Sequence, residues 1–187
     1  MEKQSLLLLH GLGGSGPQHW QSWLAVELRQ KGLDVHYPTF TDFDTPQKDV
    51  WLQELAAAME QIPADHQVTV VTHSCGCLLW LHHAATGPAR IVQRAILVAP
   101  PAPSLVIPEA ASFSPVPLVE ADLKQASHET LFVMSSDDPY CSLEEATHYM
   151  QLGAPAVVFP NMGHINTASG HGEWSWILEQ CLRKGVM

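Results

Sequence analysis

The sequence predicts an α/β fold, a compact and mostly parallel sheet flanked by helices. Short apolar runs, such as residues 5–9 and 68–72, alternate along the chain with longer stretches whose apolar residues have helical spacing. Alternation of this kind is typical of a parallel sheet covered by helices on both faces, because parallel strands are joined by crossover connections that are usually helical.

The elements follow one another in a regular order. Residues 20–31 have helical spacing and stop at Gly32, a residue suited to a helix C-cap. A helix over residues 46–62 is predicted to start with Thr45 as its cap and Pro46 in its first turn. The remaining strands are predicted over residues 35–37, 91–99, 131–135 and 156–159, and the remaining helices over residues 74–85, 143–152 and 172–183.

Composition bounds the size and the partners of the protein. The 187 residues fit one domain, predicted over residues 1–187, and 46% of them are hydrophobic against 15% charged. A formal net charge of −10 argues against nucleic acid, whose binding depends on clustered cations. No stretch approaches the ~20 apolar residues of a membrane span, and no secretory pattern precedes the first strand. A cytoplasmic protein with free thiols and no membrane partner is expected.

Residues 100–127 interrupt the alternation. This connection contains six prolines and leaves the predicted sheet directly after a strand, on the side where open α/β sheets place their ligands. We interpret it as a reduced cap over the functional site. A disordered excursion without a role in the site is the alternative.

The most informative stretch is residues 68–78, in which a strand runs into Ser74 and a helix begins directly afterwards. In that context the motif His-Ser-x-Gly predicts a nucleophile elbow, a tight turn that presents the serine above the sheet edge. Gly76 allows the strand and the helix to approach each other. Thr72 stands where glycine is usual, so packing must accommodate its β-branched side chain. The alternative is an ordinary serine N-cap on a buried helix.

A nucleophilic serine needs a base to remove its proton and a carboxylate to orient that base. On a nucleophile elbow of this type the acid and then the histidine follow later in the chain. His164 follows the last predicted strand and is the predicted base, whereas its rival His171 starts a predicted helix. Asp138 is the predicted acid, because a residue that precedes proline is held in an extended conformation. Its neighbour Asp137 is the alternative.

The oxyanion formed in such a reaction needs two backbone N–H donors. The predicted donors are Cys75, directly after the serine, and Leu12, in the glycine-rich loop after the first strand. Residues 11–16 of that loop also have the Gly-x-Gly-x-x-Gly spacing of a dinucleotide site. No acidic residue ends the following strand, where one would bind the ribose, and no cofactor is therefore expected.

A metal site is not expected either. His128 and Glu129 begin like a zinc-binding helix motif, but Phe132 occupies the position of the second histidine. Cys75 and Cys77 lack the two-residue gap of a zinc knuckle and have no second pair.

Four motifs occur along the chain in the order HGLGGSGPQHWQ (residues 10–21), HSCGC (73–77), SDDPY (136–140) and GHIN with SGHGEW (163–166 and 169–174). Over nearly the whole chain this pattern resembles the small bacterial α/β-hydrolases of the family that includes the retinoblastoma-binding serine hydrolase. The resemblance implies an α/β-hydrolase fold with about six strands and a minimal cap, and a catalytic triad of Ser74, Asp138 and His164. It also implies esterase-like or peptidase-like hydrolysis. The vertebrate relative's Leu-x-Cys-x-Glu segment for partner binding is absent, so its protein partner is not expected here.

Three functional hypotheses follow. In the first, the protein is a carboxylesterase-like or peptidase-like serine hydrolase, and Ser74 attacks the ester, thioester or amide carbonyl of a small acyl substrate. Trp20, Tyr140 and Ile165 are then predicted to line the acyl pocket. In the second, the scaffold is catalytically vestigial and binds a protein or a ligand. The third, a dinucleotide-dependent enzyme, has the missing ribose acid against it.

Overall fold

The computed structural model describes residues 3–183. The strands are β1 (Gln4–Leu9), β2 (Asp34–His36), β3 (Gln67–His73), β4 (Val92–Val98), β5 (Ser127–Ser135) and β6 (Ala156–Phe159). The helices are α1 (Trp20–Gln30), α2 (Lys48–Glu60), α3 (Cys75–Ala85), α4 (Glu120–Ala126), α5 (Leu143–Met150) and α6 (Ser175–Leu182). Short 3-10 helices cover Pro108–Phe113 and Thr167–Ser169.

The strands form one six-stranded sheet in the order β2-β1-β3-β4-β5-β6. Every neighbouring pair is parallel, so the predicted fold class is confirmed. The chain moves from β1 outward to β2 and then returns to the other side of β1 as β3. The strand order therefore reverses between β1 and β3, and open α/β sheets bind ligands at the carboxyl ends of the strands at such a point.

The core lies on both faces of the sheet because side chains along a strand alternate between faces. In β1, Leu7 and Leu9 join the cluster that packs on α2 and α3, whereas Leu6 and Leu8 join the cluster on α1 and α6. All four leucines are fully buried. A run of apolar residues without alternation is thus what a strand covered on both faces requires.

Three predicted boundaries are corrected, and one helix was not predicted. Helix α2 begins at Lys48 with Gln47 as its N-cap, rather than at Pro46 with Thr45 as its cap. Strand β5 begins at Ser127 rather than at residue 131, because its polar first residues pair with β4 from Val92 onward. Helix α4 lies inside the proline-rich connection, where its seven residues are too few for a clear helical period. Helix α6 begins at Ser175 rather than at residue 172, because Trp174 has an extended φ of −140°.

Substitution of Gly76 by alanine is expected to destabilise the fold. A Cβ at this position would lie 2.5 Å from the carbonyl oxygen of Leu9 and 2.7 Å from that of His10. Alanine normally stabilises a helix relative to glycine by about 1 kcal/mol, but here the backbone clash dominates. We expect Gly76→Ala to lower the free energy of unfolding by about 3 kcal/mol or more, measured by urea denaturation.

Gly16→Ala is the matched control for that experiment. A Cβ at Gly16 would meet no atom within 4 Å, so we expect a change of no more than about 0.5 kcal/mol. Equal stability of Gly76→Ala and Gly16→Ala would contradict the close packing of α3 against the end of β1.

Candidate active site

Ser74 lies in the turn between β3 and α3. Its φ is 52° and its ψ −122°, a backbone conformation that residues with a side chain rarely adopt and that costs about 1–3 kcal/mol. The Ser74 N–H donates to the carbonyl of Val98 at 3.0 Å, and the Cys77 N–H donates to the carbonyl of Ser74 at 2.8 Å. These hydrogen bonds retain the strained turn, which is the geometry of a nucleophile elbow.

The loop after β1 packs directly against this turn. A Cβ at Gly11 would lie 2.8 Å from the Cβ of Ser74 and 3.0 Å from the carbonyl oxygen of His73, so a side chain does not fit there. Thr72 is fully buried, and its hydroxyl donates to Sγ of Cys77 at 3.0 Å. The β-branched side chain is thus accommodated by a polar contact between the end of β3 and the first turn of α3.

Three side chains that follow three different strands form one hydrogen-bonded chain. Nδ1–H of His164 donates to the carboxylate of Asp138, with Nδ1 at 3.0 Å from Oδ1 and 2.9 Å from Oδ2. Because Nδ1 carries the proton, Nε2 of the neutral ring is an acceptor, and the Ser74 hydroxyl donates to it across 2.8 Å. All three residues are buried, with 9% or less of their surface exposed. This arrangement is suited to removing a proton from a serine.

The neighbouring carboxylate of Asp137 has different partners. Its Oδ1 accepts hydrogen bonds from the hydroxyl of Ser135 and from the N–H of Gly163, both at 2.7 Å. The hydrogen bond from Ser135, followed by that from Gly163, lowers the pKa of the Asp137 carboxyl. Asp137 therefore ties the loop that carries His164 to the end of β5, whereas Asp138 contacts the imidazole itself.

Trp20 and Ile165, which were predicted to line the acyl pocket, are fully buried core residues, and that prediction is wrong. The indole N–H of Trp20 donates to the carbonyl of Ile165 at 2.8 Å. Ile165 has a φ of 48°, a genuine outlier for a β-branched residue. The two residues support the backbone beside His164, because α1 packs Trp20 against the sheet rather than towards the cavity.

Two buried histidines hold the loops of the site. Nε2–H of His73 donates to the carbonyl of His164 at 3.0 Å. His10 bonds the carbonyl of Gly11 through Nδ1 at 2.8 Å and accepts the N–H of Phe40 at Nε2 at 2.9 Å. Burial lowers the pKa of His10, and burial together with the neighbouring imidazoles lowers the pKa of His73 well below its ordinary value. Both rings are therefore neutral at physiological pH, and they hold the loops through hydrogen bonds.

The two predicted oxyanion donors flank Ser74. Leu12 lines the same cavity as Ser74, and Cys75 is the first residue of α3. Neither backbone N–H donates a hydrogen bond to any partner within residues 3–183. Two free N–H groups, one on the loop after β1 and one at a helix start, are the donors that developing negative charge requires.

A cavity of about 600 Å³ opens beside Ser74. Tyr140, predicted to bind substrate, lies on its wall with 45% of its surface exposed, and its ring centre is 4.6 Å from that of His164. The proline-rich connection contributes Ile107 and Glu109 to the wall. To that extent its interpretation as a reduced cap agrees with the structure.

Four polar or ionisable residues of the cavity wall were not among the predicted site residues. Asn166 and Thr167 directly follow the loop that carries His164, so their proximity to the predicted base was an available signal. His19, which caps α1, lies in the glycine-rich motif of residues 10–21, but that motif did not mark it as a cavity residue. No local signal marked Glu109, which lies in the 3-10 helix of the proline-rich connection. The missed residues are His19, Glu109, Asn166 and Thr167.

Features that the sequence raised as alternatives lie elsewhere. His128 and Glu129 belong to strand β5 and not to a helix, so they do not begin a zinc helix motif. In the described part of the chain, no three His, Cys, Asp or Glu residues are grouped as metal ligands would be. No helix between residues 3 and 183 has the length and apolar character needed to cross a membrane.

A parallel six-stranded sheet covered by helices, with a serine in the turn after the third strand, defines an α/β-hydrolase fold. The family model described as "Serine hydrolase" matches residues 6–183. The chain belongs to this serine hydrolase family. A comparison with curated proteins gives no significant match.

Solved structures with the same fold are distant in sequence. The ydeN gene product from B. subtilis has a TM-score of 0.84 at 19% identity, covering 95% of this chain and 96% of its own. A YdeN-like hydrolase from Pectobacterium atrosepticum has a TM-score of 0.77 at 23% identity, covering 95% and 88%. A serine hydrolase without a lid from Xanthomonas campestris has a TM-score of 0.67 at 19% identity, covering 97% and 80%.

The cysteines are expected to be unreactive in the folded protein. Cys75, Cys77, Cys141 and Cys181 are all buried. Burial raises the pKa of Cys75, Cys141 and Cys181 to about 12 and also raises that of Cys77. A thiol with such a pKa is ionised in only about one molecule in 10,000 at pH 8. Iodoacetamide should therefore leave the folded protein unmodified, as measured by intact mass.

The control is the same treatment in concentrated urea, which should modify all four cysteines of the sequence. Rapid alkylation of Cys75 in the folded protein would contradict this prediction and would point to a thiol nucleophile beside Ser74.

Proposed function

We propose that this protein hydrolyses an acyl substrate through an acyl-enzyme formed on Ser74, with His164 as base and Asp138 as the acid that orients it. The observation that carries the proposal is the unbroken chain of hydrogen bonds from Asp138 through His164 to Ser74. Membership of the serine hydrolase family supports it. The strained φ of Ser74 supports it too, since strain of this kind clusters at functional sites.

In the first step Oγ of Ser74 attacks the substrate carbonyl carbon while Nε2 of His164 takes the hydroxyl proton. The resulting imidazolium is stabilised by Asp138, whose carboxylate accepts the Nδ1–H. The carbonyl oxygen becomes an oxyanion, which the N–H groups of Leu12 and Cys75 stabilise. When the tetrahedral intermediate collapses, His164 returns the proton to the leaving group and Ser74 keeps the acyl group.

The second half of the reaction repeats these roles with water. His164 removes a proton from a water molecule, which attacks the acyl-enzyme, and the proton then passes to the Oγ of Ser74. The product acid leaves, and the hydrogen bond between Ser74 and His164 is restored. The net reaction consumes one water and one ester, and it regenerates the enzyme with its original protonation.

We propose a small, uncharged or cationic carboxylic ester as substrate, bound with Tyr140 against its acyl chain. Glu109 is the only Asp, Glu, Lys or Arg among the described residues that line the cavity. Its carboxylate disfavours an anionic ligand, since like charges repel. Structures that share the fold include a thioesterase domain and a deformylase, so thioester and amide substrates, including peptides, are further candidates for the same machinery.

We also propose that residues 1–187 form one cytoplasmic domain related to the retinoblastoma-binding hydrolase. The order of the glycine-rich, serine, aspartate and histidine motifs along the chain supports the relation. The absence of a Leu-x-Cys-x-Glu segment from the sequence supports a small-molecule substrate rather than that relative's protein partner.

Covalent labelling tests the proposal directly. A fluorophosphonate should label the wild type at Ser74 and abolish hydrolysis of nitrophenyl butyrate. Ser74→Ala should not be labelled, and its rate should fall roughly 10⁴- to 10⁶-fold, while its thermal unfolding remains cooperative. The control Ser104→Ala, at an exposed serine, should be labelled like the wild type. A wild type that neither labels nor turns over would instead favour a vestigial scaffold that binds ligands.

Isosteric variants at the two neighbouring carboxylates test which one serves His164. Asp138→Asn should lower kcat about 10³- to 10⁴-fold. The amide favours the wrong tautomer of the imidazole, and it has no negative charge to stabilise the imidazolium. Asp137→Asn keeps an oxygen that accepts from Ser135 and Gly163, so its kcat should fall less than about 10-fold. Steady-state kinetics with nitrophenyl butyrate measure both. A larger loss in Asp137→Asn would reverse the assignment.

A further inference from the structure

His19 has one ring nitrogen engaged and one free. It is the N-cap of α1, and Nδ1 accepts a hydrogen bond from the backbone N–H of Gln21 at 3.2 Å. A neutral imidazole carries a single ring proton. Because Nδ1 is the acceptor, that proton lies on Nε2. The helix cap therefore sets the tautomer of His19 and leaves Nε2–H as a hydrogen-bond donor.

The free Nε2–H is on a residue that lines the cavity beside Ser74. His19 lines that cavity although only 5% of its surface is exposed. Its ring centre is 4.8 Å from that of His73, which is in turn 5.0 Å from that of His164. Within residues 3–183, Nε2 has no hydrogen-bond partner, yet it is not sealed in the interior as the unpartnered Nε2 of His83 is. A donor held in this way is available to a ligand in the cavity.

His19 acts as a neutral group at physiological pH. Burial and the proximity of His164, His10 and His171 lower the pKa of His19 to about 4. A neutral N–H can donate a hydrogen bond but offers no positive charge to pair with a carboxylate. The preference for an uncharged oxygen comes from Glu109 on the same wall, whose carboxylate repels anions.

We propose that His19 Nε2–H binds a second, uncharged oxygen of the substrate, so that the substrates are esters with an ether, hydroxyl or carbonyl oxygen near the scissile carbonyl. This inference rests on the proposed hydrolase function and narrows its substrate class. His19 lies at the end of the glycine-rich loop that also carries Leu12. The bound oxygen is therefore on the side of the cavity formed by this loop.

Two substitutions separate the donor from the helix cap. In His19→Asn, the side-chain oxygen lies near the position of Nδ1. This variant keeps the cap of α1 and removes the Nε2–H donor. In His19→Gln, the side-chain amide nitrogen lies near the position of Nε2. This variant keeps the donor and weakens the cap of α1. His19→Gln should lower Tm by about 2–4 °C relative to His19→Asn, because a lost N-cap destabilises its helix.

The probes are two pairs of nitrophenyl esters of equal length, in which an ether oxygen replaces one methylene. One pair is butyrate and methoxyacetate, and the other is pentanoate and 3-methoxypropanoate. The quantity measured is the ratio of kcat/KM for the oxygen-containing ester to that for its all-carbon partner. His19→Asn should lower this ratio about 3- to 10-fold for at least one pair, whereas His19→Gln should retain it. His148→Asn, at an exposed histidine of α5, is the control and should have the wild-type ratio.

Three results would overturn the inference. Equal loss for both members of each pair in His19→Asn would place the donor at the reacting carbonyl instead. Wild-type kcat/KM for all four esters in His19→Asn would mean that the donor does not contact the substrate. A ratio lowered in both variants together with Tm would make His19 a purely structural residue. Fluorophosphonate labelling of each variant separates these results from failure of the proposed function, in which the wild type itself would not be labelled.

Discussion

At the point where the strand order reverses between β1 and β3, the end of β1 and the loop after it pack closely against the serine turn and the start of α3. Neither Gly11 nor Gly76 has room for a side chain there. A Cβ on Gly11 would lie 2.8 Å from the Cβ of Ser74, and one on Gly76 would lie 2.5 Å from the carbonyl oxygen of Leu9. This contact places the glycine-rich loop beside the serine turn. It therefore brings the free N–H groups of Leu12 and Cys75 close to Ser74, and the rest of the site is arranged around them.

The histidines of the site divide into one that can carry charge and several that stay neutral. His164 alone among those at the cavity has a carboxylate, Asp138, on its ring nitrogen. His10 and His73 bond to backbone groups, and burial lowers the pKa of each. Positive charge is stabilised only where an opposite charge or strong acceptor offsets the loss of solvent. A cation on His73 would oppose any positive charge on the neighbouring ring of His164, and the burial of His73 prevents this.

Backbone strain collects at the same edge of the sheet. Ser74 and Ala99 directly follow β3 and β4, and Asn161 and Ile165 follow β6, all with positive φ. Long-range hydrogen bonds retain these conformations, such as those from Ala99 N–H to Val133 and from Trp20 to Ile165. Strain of this kind persists only where the surrounding structure over-determines it. The buried sheet and helices thus stabilise loops that would not hold their shape alone.

The sequence by itself determined the order of the elements, the serine turn, and the positions along the chain of the candidate acid and base. These depend on apolar periodicity and turn chemistry, which act over about 18 residues or fewer. Such local signals could not predict that the polar first residues of β5 pair with β4. They also could not predict the burial of Trp20, whose indole N–H donates to a carbonyl 145 residues away. The tertiary structure alone decided that Asp138 contacts His164, that Trp20 and Ile165 lie in the core, and that His19 lines the cavity, because each depends on which distant segment packs against it.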